Sequence, residues 1–196
     1  MTAIPAWLAA PSKLWSWAEI AGSVGVPPKK AGVYGWYFDY LPSVVPVAQC
    51  HVWDGRFLAY IGISPKAPPK NGSKPSSQTL RSRLVYHFRG NAEGSTLRLT
   101  LGCLLSEELG IALQRTGSGK RLTFAEGEQR LSAWMEEHAR VVFTEHPRPW
   151  EHEEELIGSL DLPLNLDQNS RHPFHPTLSA IRKAAKKRAR ELEAGK

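Results

Sequence analysis

Ala31-Gly32-Val33-Tyr34-Gly35-Trp36-Tyr37 and Ala59-Tyr60-Ile61-Gly62-Ile63 decide how this chain folds. Each is a short apolar run broken by a tyrosine and a glycine, the pattern of a strand buried in a small sheet. Strands are predicted over 32–38 and 57–63, with Val141-Val142-Phe143 as a third. The proline- and valine-rich connection between the first two has room for an extra strand around Gln49 to Trp53. Periodicity and caps predict helices over about 15–21, 79–88, 97–109, 125–137, 150–160 and 177–193, with Gly94-Ser95-Thr96 capping the third and Gly110 ending it. Residues 114–123 read as a loop. Its Gly117-Ser118-Gly119-Lys120 lacks the GxxxxGK[ST] spacing of a phosphate loop and reads as a plain linker. The resulting fold class is mixed α/β, of the α+β type: a small, mainly antiparallel, three-stranded central sheet flanked by helices.

With 196 residues, 41% apolar and 22% charged, the chain can bury a core as one domain, and no internal repeat is visible. The opening MTAIPAWLAAPSKLW has no basic stretch ahead of an apolar one. No run approaches the roughly 18 apolar residues of a membrane span, so a soluble, cytoplasmic protein with no membrane partner is expected. Cys50 and Cys103 have no CxxC partner, which argues against a disulfide framework or a structural zinc site. Cys50-His51 is either a metal pair or, more ordinarily, a buried thiol beside a surface histidine.

Charge is concentrated at the end of the chain. Residues 1–170 hold 17 Lys+Arg against 17 Asp+Glu, whereas residues 171–196 hold 8 against 2, so the tail supplies the whole formal +6. There Leu178, Ile181, Ala185, Ala189 and Leu192 recur at helical spacing, opposite Arg182, Lys183, Lys186, Lys187 and Arg190. A basic amphipathic helix of this kind has two readings. Either it docks on the core with a solvated face, or it follows a nucleic-acid backbone, releasing counterions from phosphates. On the second reading, deleting it weakens nucleic-acid binding and lowers its salt dependence, while any chemistry carried by residues ahead of it survives at saturating substrate.

Two helices carry the candidate chemistry. On a helix starting at Trp150, Glu153 projects into the centre of the face formed by Trp150, Leu156, Ile157 and Leu160, while Glu151, Glu154 and Glu155 point outward. An ionised carboxylate placed there needs either a basic partner or a metal ion. On the earlier helix, Leu80, Leu84, Val85 and Phe88 are apolar, and Arg83 and His87 lie together on one flank. Geometry alone nominates Arg81 at least as strongly as Arg83, and His87, without its placement beside Arg83, reads more readily as a surface histidine satisfied by water.

Taken in order, Tyr34, Tyr60, Arg83, His87, Glu153 and Asn165 resemble the site of the GIY-YIG nuclease superfamily. Gly32-Val33-Tyr34 stands for its first tripeptide and Tyr60-Ile61-Gly62 for its second. Leu80-Arg81-Ser82-Arg83-Leu84, with Phe88 following, is similar to its Leu-x-x-Arg-Leu helix with an aromatic residue about a turn later, which selects Arg83. Some members have a histidine four residues after the arginine and an asparagine twelve after the glutamate, the spacings of His87 and Asn165 here. The connections from Tyr34 to Tyr60 and from Tyr60 to Arg83, and the 90–140 region, are longer than in the compact family core, so the resemblance does not carry substrate preference with it.

The resemblance implies a nuclease domain over 31–170, preceded by an extension at 1–30 and followed by a basic helix at 171–196. It implies a DNA endonuclease acting on duplex or branched substrates with one divalent cation, Mg²⁺ or Mn²⁺, held by Glu153. Arg83 would take a non-bridging phosphate oxygen, Tyr34 would be the general base and Tyr60 would position the water. Asn165 would fix the end of the glutamate helix or contact the phosphate, and His87 would assist Tyr34, a phenol near pKa 10 that needs help. Lys66, Lys70 and Lys74, with Arg182, Lys183, Lys186, Lys187 and Arg190, would grip the strand. Two alternatives stand beside this: a non-catalytic nucleic-acid-binding module with the same fold, and an unrelated interaction protein in which Tyr34, Tyr60 and Glu153 are core residues.

Overall fold

The computed structural model describes residues 4–69, 76–117 and 119–191. In chain order the elements are α1 (Ala6–Ala9), α2 (Trp17–Gly22), β1 (Gly32–Phe38), β2 (Val52–Trp53), β3 (Arg56–Ser64), α3 (Leu80–Arg89), α4 (Thr96–Leu104), β4 (Gln114–Thr116), β5 (Arg121–Thr123), α5 (Gly127–His138), β6 (Ala139–Glu145), α6 (Trp150–Ser159) and α7 (His175–Glu191). Among the described residues, no helix is long and apolar enough to cross a membrane.

The main sheet is antiparallel throughout, in the order β2-β3-β1-β6, so it has four strands where three were expected. The fourth is the short β2. Asp54 and Gly55, both at positive φ, turn the chain so that Val52 pairs with Phe57 and Trp53 with Arg56. An Asp-Gly pair with two left-handed residues is the turn whose twist matches paired strands. The expected loop at 114–123 is also corrected: β4 and β5 pair across it into a separate two-stranded sheet. Too polar to announce a strand, this hairpin is held partly from outside, where the Leu122 amide donates to the Glu93 carboxylate at 2.9 Å. The expected 97–109 helix ends at Leu104 and passes through turns to Gly110, at φ 58°.

All seven residues of β1 are buried, because the strand is covered on both faces. Alternation along the strand divides its side chains. Tyr34, Trp36 and Phe38 enter a large core with Leu84 and Phe88 of α3, Leu97 and Leu101 of α4, Leu131 and Met135 of α5, and Leu178, Ala185 and Ala189 of α7. Val33 and Tyr37 join a second core with Leu8, Leu58, Ile61, Val142, Leu156 and Ile157, so α1 and α6 cover the opposite face. Cys50 is buried as a free thiol, and the half-buried His51 hydrogen-bonds through Nε2 to the Ala9 carbonyl at 2.7 Å.

Candidate active site

Tyr34 and Gly62 are direct partners across β1 and β3. A Cβ on Gly62 would fall 2.5 Å from the Tyr34 hydroxyl oxygen and 2.6 Å from its ring carbon, so the tyrosine crosses β3 only because this residue has no side chain. The ring ends at a cavity of about 510 Å³ whose walls include Tyr34, Tyr60, Arg83, Glu153, Asn165 and Lys66. Side chains from β1, β3, α3 and α6 and from the segment after α6 thus meet at one concave place. Lys70 and Lys74 lie outside the described residues.

His87 does not line the cavity; it lies behind Tyr34. The alternative reading of His87 as a surface histidine is excluded: the ring is fully buried, with Nε2 2.8 Å from the Tyr34 hydroxyl and Nδ1 2.8 Å from Ser95 Oγ. Ser95 caps α4, accepting the Arg98 amide at 3.1 Å. Burial first, and then the nearby Arg83 and Arg98 charges, hold the His87 pKa well below its ordinary 6.5, so the ring is neutral. Arg83 Nε donates to the Tyr34 hydroxyl at 3.4 Å, and one of its terminal nitrogens donates to the Gly94 carbonyl at 2.7 Å. Burial raises the Tyr34 pKa, with Tyr60 adding to the shift and Arg83 opposing it. Arg81, the geometric rival of Arg83, is used elsewhere: it donates to the Val26 carbonyl at 2.7 Å.

Tyr60 is nearly buried, its hydroxyl 3.3 Å from Thr96 Oγ1 and its pKa raised chiefly by burial. Asn165 is pinned to the edge of β3 that the short β2 leaves free. Its Oδ1 accepts the Ile61 amide at 2.9 Å and its Nδ2 donates to the Ile61 carbonyl at 2.8 Å, as a neighbouring strand would do with its backbone. This sets the path of the chain from α6 back across the cleft.

Glu153 is half-buried on the cleft wall rather than enclosed in the core. Its Oε2 accepts from Gln168 Nε2 at 3.0 Å, and among the described residues no cation lies within ion-pair distance. Burial raises its pKa, while the Gln168 bond and Lys66 oppose the rise. Of the two compensations open to this carboxylate, a basic partner is not found among the described residues. Among the described residues no group of three His, Cys, Asp or Glu side chains could cage a metal. A single oxygen donor in a solvated cleft suits instead a hard divalent cation that keeps most of its water and takes further ligands from substrate phosphate.

Several contributors were missed from sequence. Arg98, in the apolar run Leu97-Arg98-Leu99, is fully buried. It donates to Glu128 at 2.7 and 3.0 Å and to the carbonyls of His87 and Phe88 at 3.2 and 2.9 Å, fastening the end of α3. Thr96, Thr100 and Gln168 also line the cavity. Their sequence neighbourhoods carry no periodic or motif signal; only the packing of α4 and of the segment after α6 brings them there.

Residues 32–184 match the sequence profile of the GIY-YIG catalytic domain. This chain accordingly belongs to the GIY-YIG superfamily, whose catalytic domain is of the nuclease type. Searches of curated proteins and of solved structures gave no match. The matched span ends inside α7, so it includes the first part of the basic helix.

Proposed function

We propose that this protein is a metal-dependent DNA endonuclease that hydrolyses phosphodiester bonds in the cleft between α3 and α6. The observation that carries the reading is the convergence on one cavity of a buried tyrosine, an arginine and a carboxylate with no cationic partner among the described residues. Hydrolysis needs a deprotonated water, a donor for the phosphoryl oxygens and charge relief at the leaving oxygen, and these three groups correspond to those needs.

In this reading Arg83 orients the phosphate with a planar fork that stays protonated, its Nε anchored on Tyr34. Tyr34 takes a proton from the attacking water as its own proton passes to His87 Nε2, whose lone pair is open when Nδ1–H donates to Ser95. Tyr60, its hydroxyl held by Thr96, positions the water, and Asn165 is a positioning residue acting through Ile61. Glu153 would hold Mg²⁺ or Mn²⁺, which when bound supplies positive charge at the leaving oxygen. Lys66 and the outer face of α7 contact the strand without reading bases.

Nicking of supercoiled plasmid in Mg²⁺, in Mn²⁺ and in EDTA tests the proposal, with Glu153→Gln beside wild type. Nicking is expected with either metal and absent in EDTA and in the variant. Because the fold raises the Glu153 pKa, its charge works against the folded state, so the amide is expected to keep or raise the melting temperature. Wild-type nicking by a well-folded Glu153→Gln protein would remove the assignment.

A further inference from the structure

A guanidinium withdrawn from water needs an anion or a full set of acceptors. Arg98 has both, whereas Arg182, on α7, has neither. Arg182 is half-buried against α4, and its one hydrogen bond among the described residues runs from a terminal nitrogen to Thr100 Oγ1 at 3.4 Å, the long limit of such bonds. No carboxylate of the described residues comes within ion-pair distance of it. Burial lowers its pKa, with weaker opposing contributions from Cys103, Asp167 and Tyr60.

The place where this charge sits is specific. Arg182, Thr96 and Thr100 line the same cavity as Arg83 and Glu153. Arg182 also borders a second groove of about 660 Å³ along α7, which Lys183, Lys186, Lys187 and Arg190 line. The two depressions therefore adjoin at Leu166 and Arg182, of which Arg182 carries the charge. A cavity of the first one's volume is about 10 Å across, and a nucleic-acid strand advances about 3.4 Å per phosphate along its axis, so neighbouring phosphates fit within it.

We propose that Arg182, together with the Thr100 hydroxyl, forms a second phosphate subsite in the cleft, taking the phosphate adjacent to the one at Arg83 and leading the strand into the α7 groove. Resting on the nuclease reading of the cleft, the assignment separates Arg182 from the other basic residues of α7. They grip the strand beyond the reaction centre, whereas Arg182 aligns it there as a positioning residue.

Binding and cleavage test this separately. In EDTA, the affinities of oligothymidylates of two, three and four nucleotides are measured by NMR titration for wild type, Arg182→Gln, Arg182→Lys, Thr100→Val and Lys187→Gln, with a melting curve for each. The second phosphate is expected to strengthen wild-type binding about ten-fold, the scale of one charge-assisted hydrogen-bonded contact. That step should vanish in Arg182→Gln, shrink in Arg182→Lys and Thr100→Val, and persist in Lys187→Gln. In single-turnover plasmid nicking at saturating DNA, Arg182→Gln is expected to be about ten-fold slow, and Lys29→Gln, which removes an exposed charge outside both depressions, to reach the wild-type rate. The subsite is overturned if the second-phosphate step survives in Arg182→Gln, if Arg182→Gln nicks at the wild-type rate once DNA saturates, or if only its melting temperature changes. An Arg182-dependent step in a wild type that nicks nothing retains the phosphate subsite and rejects the nuclease reading. Normal nicking with an Arg182-independent step does the reverse.

Discussion

A phenol is a weak base at neutral pH, and burial raises the Tyr34 pKa further, so the atoms around its oxygen decide whether it can serve. Arg83 Nε–H favours the phenolate, and His87 Nε2 offers a place for the proton. When the Ser95 hydroxyl accepts from Nδ1–H, as it can while also capping α4, the free lone pair of His87 is at Nε2. Ser95→Ala should therefore cost about 1 kcal/mol as a lost cap, a few degrees of melting temperature, and also slow nicking at saturating DNA. Ser95→Thr should restore both; a variant that melts lower but nicks at the wild-type rate would confine Ser95 to capping. His87 gives a pH signature. Its folded pKa lies well below 6.5, so below that pH the unfolded chain binds a proton that the native protein does not, and stability falls as pH falls. Urea unfolding at pH 5 and pH 7 should show this loss in wild type and a smaller one in His87→Gln. Helix periodicity placed Arg83 and His87 together but gave no sign of the burial of His87, because burial there depends on β1 and on the α4 cap. Nor did it separate Arg83 from Arg81, whose carbonyl partner at Val26 is remote in sequence.

At the scale of elements, what was legible follows from local pattern. β1 occupies the range expected of it, and β3, α3 and α6 differ from expectation only near their ends. Alternation and helical periodicity are strong where a whole face is buried. The short β2 falls inside the extra strand allowed around Gln49 to Trp53, whereas β4 and β5 rest on polar residues and needed pairing information that spacing does not carry. Asn165 belongs to this scale because it completes a sheet edge. Replacing it by leucine leaves the Ile61 amide and carbonyl facing an apolar side chain, at about 1–3 kcal/mol for each group left unpaired. Asn165→Leu is expected to shift the urea midpoint down without changing its slope, and to slow nicking as the segment after α6 moves. An unchanged midpoint would mean the Ile61 bonds contribute little in solution.

At the scale of the whole molecule, α7 alters what its deletion should do. The tail's charge asymmetry and periodicity were plain in the sequence, but not where the apolar stripe lands. Leu178, Ala185 and Ala189 are buried in the core that Tyr34 enters, and Arg182 reaches the cleft; Leu192 lies outside the described residues. Truncation before His175 is therefore expected to lower the melting temperature and to reduce nicking even at saturating DNA, contrary to the survival that the sequence suggested. Neutralising only the outer face, with Lys183, Lys186 and Lys187 changed to Gln, should spare the fold and flatten the salt dependence of binding by about 0.9 per lost phosphate contact. A truncated protein of wild-type stability and saturated rate would restore the view of the helix as a detachable arm.

In the nuclease reading, the position of α7 makes fold and substrate thermodynamic partners. One face of the helix closes the core while the other lines the basic groove, so a polyanion bound in that groove would hold only the state in which the helix is docked. Ligation at a hundred times the dissociation constant adds about 2.7 kcal/mol to such a state. Melting curves should accordingly rise with added DNA in EDTA, when no bond can be cut, and the gain should disappear at high salt or in the Lys183, Lys186 and Lys187 variant. The protein would then be at its most durable while occupied, and heat tolerance in a DNA titration becomes a readout of occupancy that needs no cleavage at all.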